Sequence, residues 1–217
     1  MSRPTSRSGV VLASASPARL ATLRGAGIEP QVVVSGVDES AVAHSDPASL
    51  VCRLAELKTQ AVVARLDAEH ATRGGGGDGD GAGPRWVIGA DSMLALDHEV
   101  LGKPADAADA VRRWQRMRGR SGVLHTGHCL VDLAQRREAT RPVATRVYFA
   151  DVSDAEIEAY VATGEPLAVA GAFTVDGLGG PFISGIEGDH HNVVGLSLPA
   201  LREMVADLGG AWTDLWA

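Results

Sequence analysis

Residues 122–152, "GVLHTGHCLVDLAQRREATRPVATRVYFADV", constrain the fold more than any other stretch of this chain. They read as two long antiparallel strands joined near Gln135 to Glu138. A sheet of that length must bury a face, and the remaining sequence supplies the cover. Val10 to Leu12 form a short apolar strand, after which Ser16 is a good N-cap and Pro17 a good first helical residue. Leu20 and Leu23 repeat at helical spacing, and Gly25 and Gly27 supply the stop. Asp46 and Pro47 open a second helix with Leu50, Leu54, Leu57 and Ala61 along one stripe. "WVIGADSMLAL" is a strand that turns at "LDHEVL" into its neighbour, and "ADAADAVRRWQRMRG" is a helix with Val111, Trp114 and Met117 inward. "SDAEIEAYVATG" carries a capping box, Ser153 with Glu156, and a last helix starts near Pro199. The expected fold class is α/β: a mixed twisted sheet with flanking helices.

Composition narrows what such a fold can do. Hydrophobic residues at 45% and charged ones at 22% fit a soluble globular domain. A net charge of -7 without a basic stripe argues against general nucleic-acid or anionic-membrane binding. A polyanionic substrate would need a local cationic pocket, a divalent metal, or both. Cys52 and Cys129 are far apart without metal-type spacing, which points to a reducing, cytoplasmic setting. The start, residues 1–9, has cations but no apolar segment behind it and reads as a flexible cytoplasmic lead. No stretch approaches the length of a membrane span. Within one domain, 10–208, the low-complexity loop 73–84, "RGGGGDGDGAGP", is glycine-rich and lacks the strand before it and lysine after it of a phosphate cradle. Residues 209–217 form a C-terminal tail.

Several residues carry candidate chemistry. The strand-to-helix junction at Ser14, Ser16 and Arg19 can bind an anion on its unpaired N–H groups, or is simply a capped junction. Asp91, at the end of an apolar strand, points into a ligand crevice or caps a turn. Helical spacing puts Lys58 on the face of Val51, Leu54 and Val62, where it either snorkels or reaches an anion. Lys103 in "GKP" suits a phosphate ligand or a solvated loop. His125 and His128 lie three apart in a strand, on opposite faces, and adjacent His190 and His191 diverge, so no histidine metal site is expected. No G-x-S-x-G, Walker or H-E-x-x-H motif is present.

Taken together, "LASASPARL", "VDE" (Val37 to Glu39), "RLAELK", "GADS", "LDHEVLGKP", "YVATGEPLAVAGAF", "DGLGG" and "NVVGL" resemble, in this order, the Maf family. These are septum-formation-inhibitor-like nucleoside triphosphate pyrophosphatases. The resemblance runs from about Val10 to Leu208 and departs at the glycine loop and the "AWTDLWA" tail. It implies an elongated fold related to the inosine triphosphatases, two lobes around a cleft, a homodimer, and divalent-metal-dependent cleavage of nucleoside triphosphates to monophosphate and pyrophosphate. By the same resemblance Ser14, Ser16 and Arg19 belong to a phosphate-binding loop, in which Ala18 replaces a usual arginine. Asp91 matches the proton acceptor and shares a metal, Mg or Mn, with Glu39; Lys58 and Lys103 match lysines that hold the triphosphate. The family branch that prefers thymidine and uridine triphosphates has arginine at Ala18, threonine at Ser92 and glutamine at Asp176. Ser92 and Asp176 are therefore substrate-binding candidates, and a weaker preference for those two nucleotides is expected. The Asp-Gly pair at Asp176 equally suits a plain turn. Two other roles fit the same residues: clearing modified nucleotides, or sensing a triphosphate and arresting division through a partner without turnover.

Overall fold

A computed structural model describes residues 9–39, 42, 46–72 and 83–217. Strand β1 (Val10–Leu12) leads into helix α1 (Pro17–Gly25), then β2 (Gln31–Val32) and the long α2 (Pro47–Thr72). Next come β3 (Trp86–Leu96), β4 (Glu99–Leu101), α3 (Ala107–Met117), β5 (Ser121–Asp132) and β6 (Arg137–Phe149). The chain closes with α4 (Asp154–Ala162), short 3-10 turns, β7 (Ile183–Glu187), α5 (His190–Val194) and α6 (Leu198–Asp207). The long hairpin is β5 and β6, paired from Ser121↔Tyr148 to Asp132↔Arg137. One mixed sheet has the order β2-β1-β3-β5-β6-β7, with β4 also on β3. β1 runs parallel to both of its neighbours, and the other pairs are antiparallel.

Two lobes share this sheet. In the first, alternate residues of β1 and β3 face opposite ways. Val11 and Val87 pack under Ala55 and Val62 of α2. Val10, Leu12, Trp86 and Ile88 pack against Leu23 of α1 and Leu201, Met204 and Val205 of α6. The tail joins this lobe: Leu215 is buried in the same cluster and the Ala217 N–H donates to Gly27 O at 2.9 Å. The second lobe surrounds Trp114, which meets Phe149, Tyr160 and Phe182 edge-on and donates its indole N–H to Ala172 O at 2.7 Å. Trp114 and Met117 of α3 are buried there as expected, with Val111 half-buried beside them.

The buried face of α2 departs from the expected stripe. Val51, Leu54, Ala55, Lys58, Thr59, Val62 and Val63 are buried, whereas Leu50, Leu57 and Ala61 are only half-buried. The reason is close approach, not hydrophobic size. A Cβ on Gly127 of β5 would lie 2.2 Å from the Val51 carbonyl carbon, and one on Gly89 of β3 would lie 2.0 Å from Thr59 Oγ1. Bare backbone at these two positions lets the helix sink onto the sheet along the Val51, Ala55 and Thr59 line. The residues expected as a flexible start, 1–9, lie outside the described residues except Gly9, as does the low-complexity loop 73–84 except Gly83 and Pro84. No helix among the described residues is long and apolar enough to cross a membrane.

Candidate active site

The site sits where the sheet is interrupted. β1 pairs with β3 only as far as Leu12↔Ile88, and β4 begins its pairing at Leu94↔Leu101. Between them Gly89 to Met93 have β5 on one side and, among the described residues, no strand on the other. The chain leaving β1 crosses this gap and starts α1, and a cavity of about 650 Å³ opens there. Asp91 is thus not at the end of its strand, as the apolar run suggested; β3 continues five residues beyond it, to Leu96. The strand that ends at the crevice is the parallel β1, which is where open sheets bind ligands.

Lys58 does not snorkel. The glycine-mediated docking of α2 aims its ammonium inward, 2.5 Å from Asp91 Oδ1 and 2.7 Å from Glu39 Oε1. The Lys58 and Asp91 side chains are 11% and 7% exposed, and Glu39, on the segment after β2, is 48% exposed. The second oxygen of Asp91, Oδ2, is buried without a hydrogen-bond partner. Burial lifts the Asp91 carboxyl above the usual carboxylate range; Lys58 and Arg19 oppose this and Glu39 adds a small push upward.

Arg19 closes the opposite wall. Its Nε donates to Gly195 O at 2.8 Å, Nη1 to Ser14 Oγ at 3.1 Å and Nη2 to Ser92 Oγ at 3.1 Å. Burial draws its guanidinium below the usual value while Asp91 and Glu39 pull it back, and it remains a cation. Ser16 caps α1, accepting from the Arg19 N–H at 3.4 Å, and the Ser16 N–H donates to Ser14 Oγ at 3.2 Å. Lys103 is exposed at the cavity wall. Its carbonyl accepts from Arg113 Nη2 at 3.4 Å, which fixes the "GKP" backbone. Asp176 is exposed on the wall contributed by the second lobe. The sequence-derived candidates Ser14, Ser16, Arg19, Glu39, Lys58, Asp91, Ser92, Lys103 and Asp176 all line this one cavity.

Two further features were not singled out in the sequence. Glu165 anchors the loop that carries Asp176, accepting from Thr174 Oγ1 at 2.5 Å, Tyr160 Oη at 3.1 Å, Leu178 N at 3.0 Å and Gly179 N at 3.1 Å. Thr126 and Asn192 lie behind Ser92: Ser92 Oγ is 2.9 Å from Thr126 Oγ1, which is 3.0 Å from Asn192 O. The signal for Thr126 was a hydroxyl in a strand otherwise committed to burial, which calls for a partner; Glu165 follows the exposed Thr163 and Gly164 and carried no such signal.

Among the described residues no three His, Cys, Asp or Glu side chains gather around a common point. Both ring nitrogens of His128 are engaged, Nε2 by the Ser197 N–H at 2.8 Å and Nδ1 with Arg141 O at 3.2 Å. Asp91 and Glu39 are hard oxygen donors brought together at Lys58, and Asp91 Oδ2 is orphaned. That pair fits a hard divalent cation that takes its remaining ligands from water and an anionic substrate.

The Maf-like protein family model matches residues 9–208. A nucleoside triphosphate pyrophosphatase of Salinispora tropica is 58% identical over 208 residues, covering 96% of this chain and 87% of the relative. One from Streptomyces coelicolor is 53% identical over 214 residues, 99% of this chain and 97% of the relative. One from Nostoc punctiforme is 48% identical over 206 residues, 95% and 96% respectively. With its interrupted sheet and with the family's motif residues gathered at the interruption, the chain belongs to the Maf family.

Proposed function

We propose that this protein is a nucleoside triphosphate pyrophosphatase, a hydrolase that splits the anhydride between the α and β phosphates to release nucleoside monophosphate and pyrophosphate. The observation that carries the reading is Asp91: a buried carboxylate with one oxygen on Lys58 and the other unpartnered, in a cavity walled by Arg19 and Lys103. The relatives that cover nearly the whole chain bear that activity in their names.

In this reading Asp91 Oδ2 accepts the proton of the water that attacks the α phosphorus as the bond to the bridging oxygen breaks. Lys58 keeps Asp91 ionised against the cost of burial and, with Lys103, holds the polyphosphate and stabilises the departing pyrophosphate. Arg19, Ser14 and Ser16 hold the phosphates at the start of α1. Asp91 and Glu39 would hold Mg or Mn, which when bound neutralises phosphate oxygens and makes water more acidic. The net charge of -7 is thereby reversed locally. A homodimer, a cytoplasmic location and a part in septum formation come from the family resemblance and belong to the same proposal. A pure sensor has no use for an unpartnered acceptor carboxylate, which favours turnover.

The test is pyrophosphate release from a panel of normal and modified triphosphates with Mg or Mn supplied. Asp91→Asn should retain nucleotide binding and lose about a hundredfold or more in turnover. Release of orthophosphate in place of pyrophosphate, or an Asn variant as active as the wild type, would refute the assignment.

A further inference from the structure

Thr126 is fully buried in β5, behind the cavity wall, and has no part in the reaction just proposed. Its hydroxyl carries a single hydrogen. That hydrogen is directed to Asn192 O at 3.0 Å, since a carbonyl can only accept. Thr126 Oγ1 is consequently the acceptor in its 2.9 Å contact with Ser92 Oγ. Ser92 directs its own single hydrogen there, while accepting from Arg19 Nη2 at 3.1 Å. Asn192 is held in turn, its Nδ2 donating to Thr145 Oγ1 at 3.0 Å and Leu124 O at 3.3 Å, so the carbonyl that starts the chain of hydroxyls is fixed.

An isolated serine in a cavity donates or accepts as a ligand requires. Ser92 has no such freedom. It lines the cavity and is half-buried, and what it has left for a ligand is one lone pair. We propose that Thr126 is a specificity-determining positioning residue: by taking the Ser92 hydrogen, it makes Ser92 an obligate acceptor that selects a hydrogen-bond donor on the nucleoside. Phosphate oxygens are acceptors and are turned away from this point, toward Arg19 and the lysines. The donor is a sugar hydroxyl or a base N–H. A site built around a ligand N–H or O–H discriminates strongly against an analogue that lacks it.

The inference rests on the triphosphate pyrophosphatase reading, and the experiment separates the two. kcat/KM for pyrophosphate release is measured on the full chain with substrate pairs differing in one donor: 3′-hydroxyl against 3′-fluoro for the sugar, and uridine triphosphate against its N3-methyl derivative for the base. The wild type should favour the donor-bearing member of one pair by about tenfold, and that pair identifies the source. Ser92→Ala should erase the preference. Thr126→Val, matched in shape, should shrink it severalfold by freeing the Ser92 hydrogen, and Thr126→Ser should restore it. A merely structural role for Thr126 would lower both members of the pair together and keep their ratio. An unchanged ratio in Thr126→Val overturns the inference. Should that variant not fold, equal rates within both pairs for the wild type, or a preference that survives Ser92→Ala, overturn it as well. Absence of pyrophosphate from every nucleoside triphosphate would overturn the proposed function instead.

Discussion

Acid should loosen this protein at one identifiable joint. His128 is completely buried in β5, and burial pushes its imidazole down to about 4. The Ser197 N–H donates to Nε2 at 2.8 Å, so the single ring hydrogen of the neutral form is on Nδ1, directed at Arg141 O, 3.2 Å away. Protonation would put an N–H on Nε2 against the Ser197 N–H, donor facing donor. The unfolded chain binds this proton near pH 6.5 and the native one only near pH 4, so between these values unfolding takes up a proton and stability falls as pH falls. Taking about 1.4 kcal/mol per pH unit, the full effect is about 3 kcal/mol, of which about 2 kcal/mol is lost by pH 5. The contribution is complete above pH 6.5 and gone below about 4.

Urea unfolding from pH 7 to pH 4 measures this, provided the carboxylates that titrate in the same range are subtracted. His128→Gln does so, because an amide oxygen can still accept from Ser197 N without titrating there. The variant should be the less stable of the two at pH 7, and the gap should close or reverse by about 3 kcal/mol on acidification. Ser197 is also the N-cap of α6, and Gly195, two residues before it, accepts from Arg19. Pyrophosphate release should accordingly fall in parallel with stability. Unfolding free energies of the two proteins that run parallel across the whole range would show that His128 is not buried neutral, and the reasoning fails.

Three other perturbations follow from the geometry. Lys58→Met leaves Asp91 buried beside Glu39 without its cation, so unfolding free energy should drop by about 1–3 kcal/mol and turnover by about a hundredfold; no change in either would make the lysine a spectator. Gly127→Ala sets a methyl against the Val51 main chain, which has no rotamer with which to yield, so α2 must lift from the sheet; a loss of about 3 kcal/mol with reduced activity is expected, and an unaltered Tm would contradict the packing. Asp176→Gln converts an acceptor into a group that also donates and should move selectivity toward thymidine and uridine triphosphates; an unmoved ranking would assign Asp176 to the turn alone.

What the sequence disclosed was local. The Ser16 cap and the capping box of Ser153 with Glu156 involve partners three residues apart, within reach of a reader who knows only the chain. Lys58 was placed on the buried face of α2 by periodicity alone, but its partner Asp91 is 33 residues away and was set by how deeply the helix sinks. That depth comes from Gly89 and Gly127, which a hydrophobic stripe of Leu50, Leu54, Leu57 and Ala61 cannot reveal. The interruption of the sheet was hidden for a related reason. A continuous apolar run from Trp86 to Leu96 says that β3 is buried, and says nothing about where the neighbour on one side stops.

The polar contacts behind the site are the least local of all: Arg19 to Ser92 spans 73 positions, Thr126 to Asn192 spans 66, and His128 to Ser197 spans 69. They are fixed by strand register and by where α1, α5 and α6 meet the sheet. Yet "HTGH" in the middle of a central strand carried a physical warning. In a strand covered on both faces an unsatisfied threonine or histidine costs about 1–3 kcal/mol; Thr126 and His128 avoid that cost, whereas Nδ1 of His125 is buried without a partner. Thr126 and His128 face the same side of β5, where α5 and α6 return to the sheet with the Asn192 carbonyl and the Ser197 N–H. Hydrogen-bond demand in a buried strand therefore foretells that polar backbone must dock on it, and here the docking segment is the one whose Gly195 carbonyl positions Arg19 over the cavity.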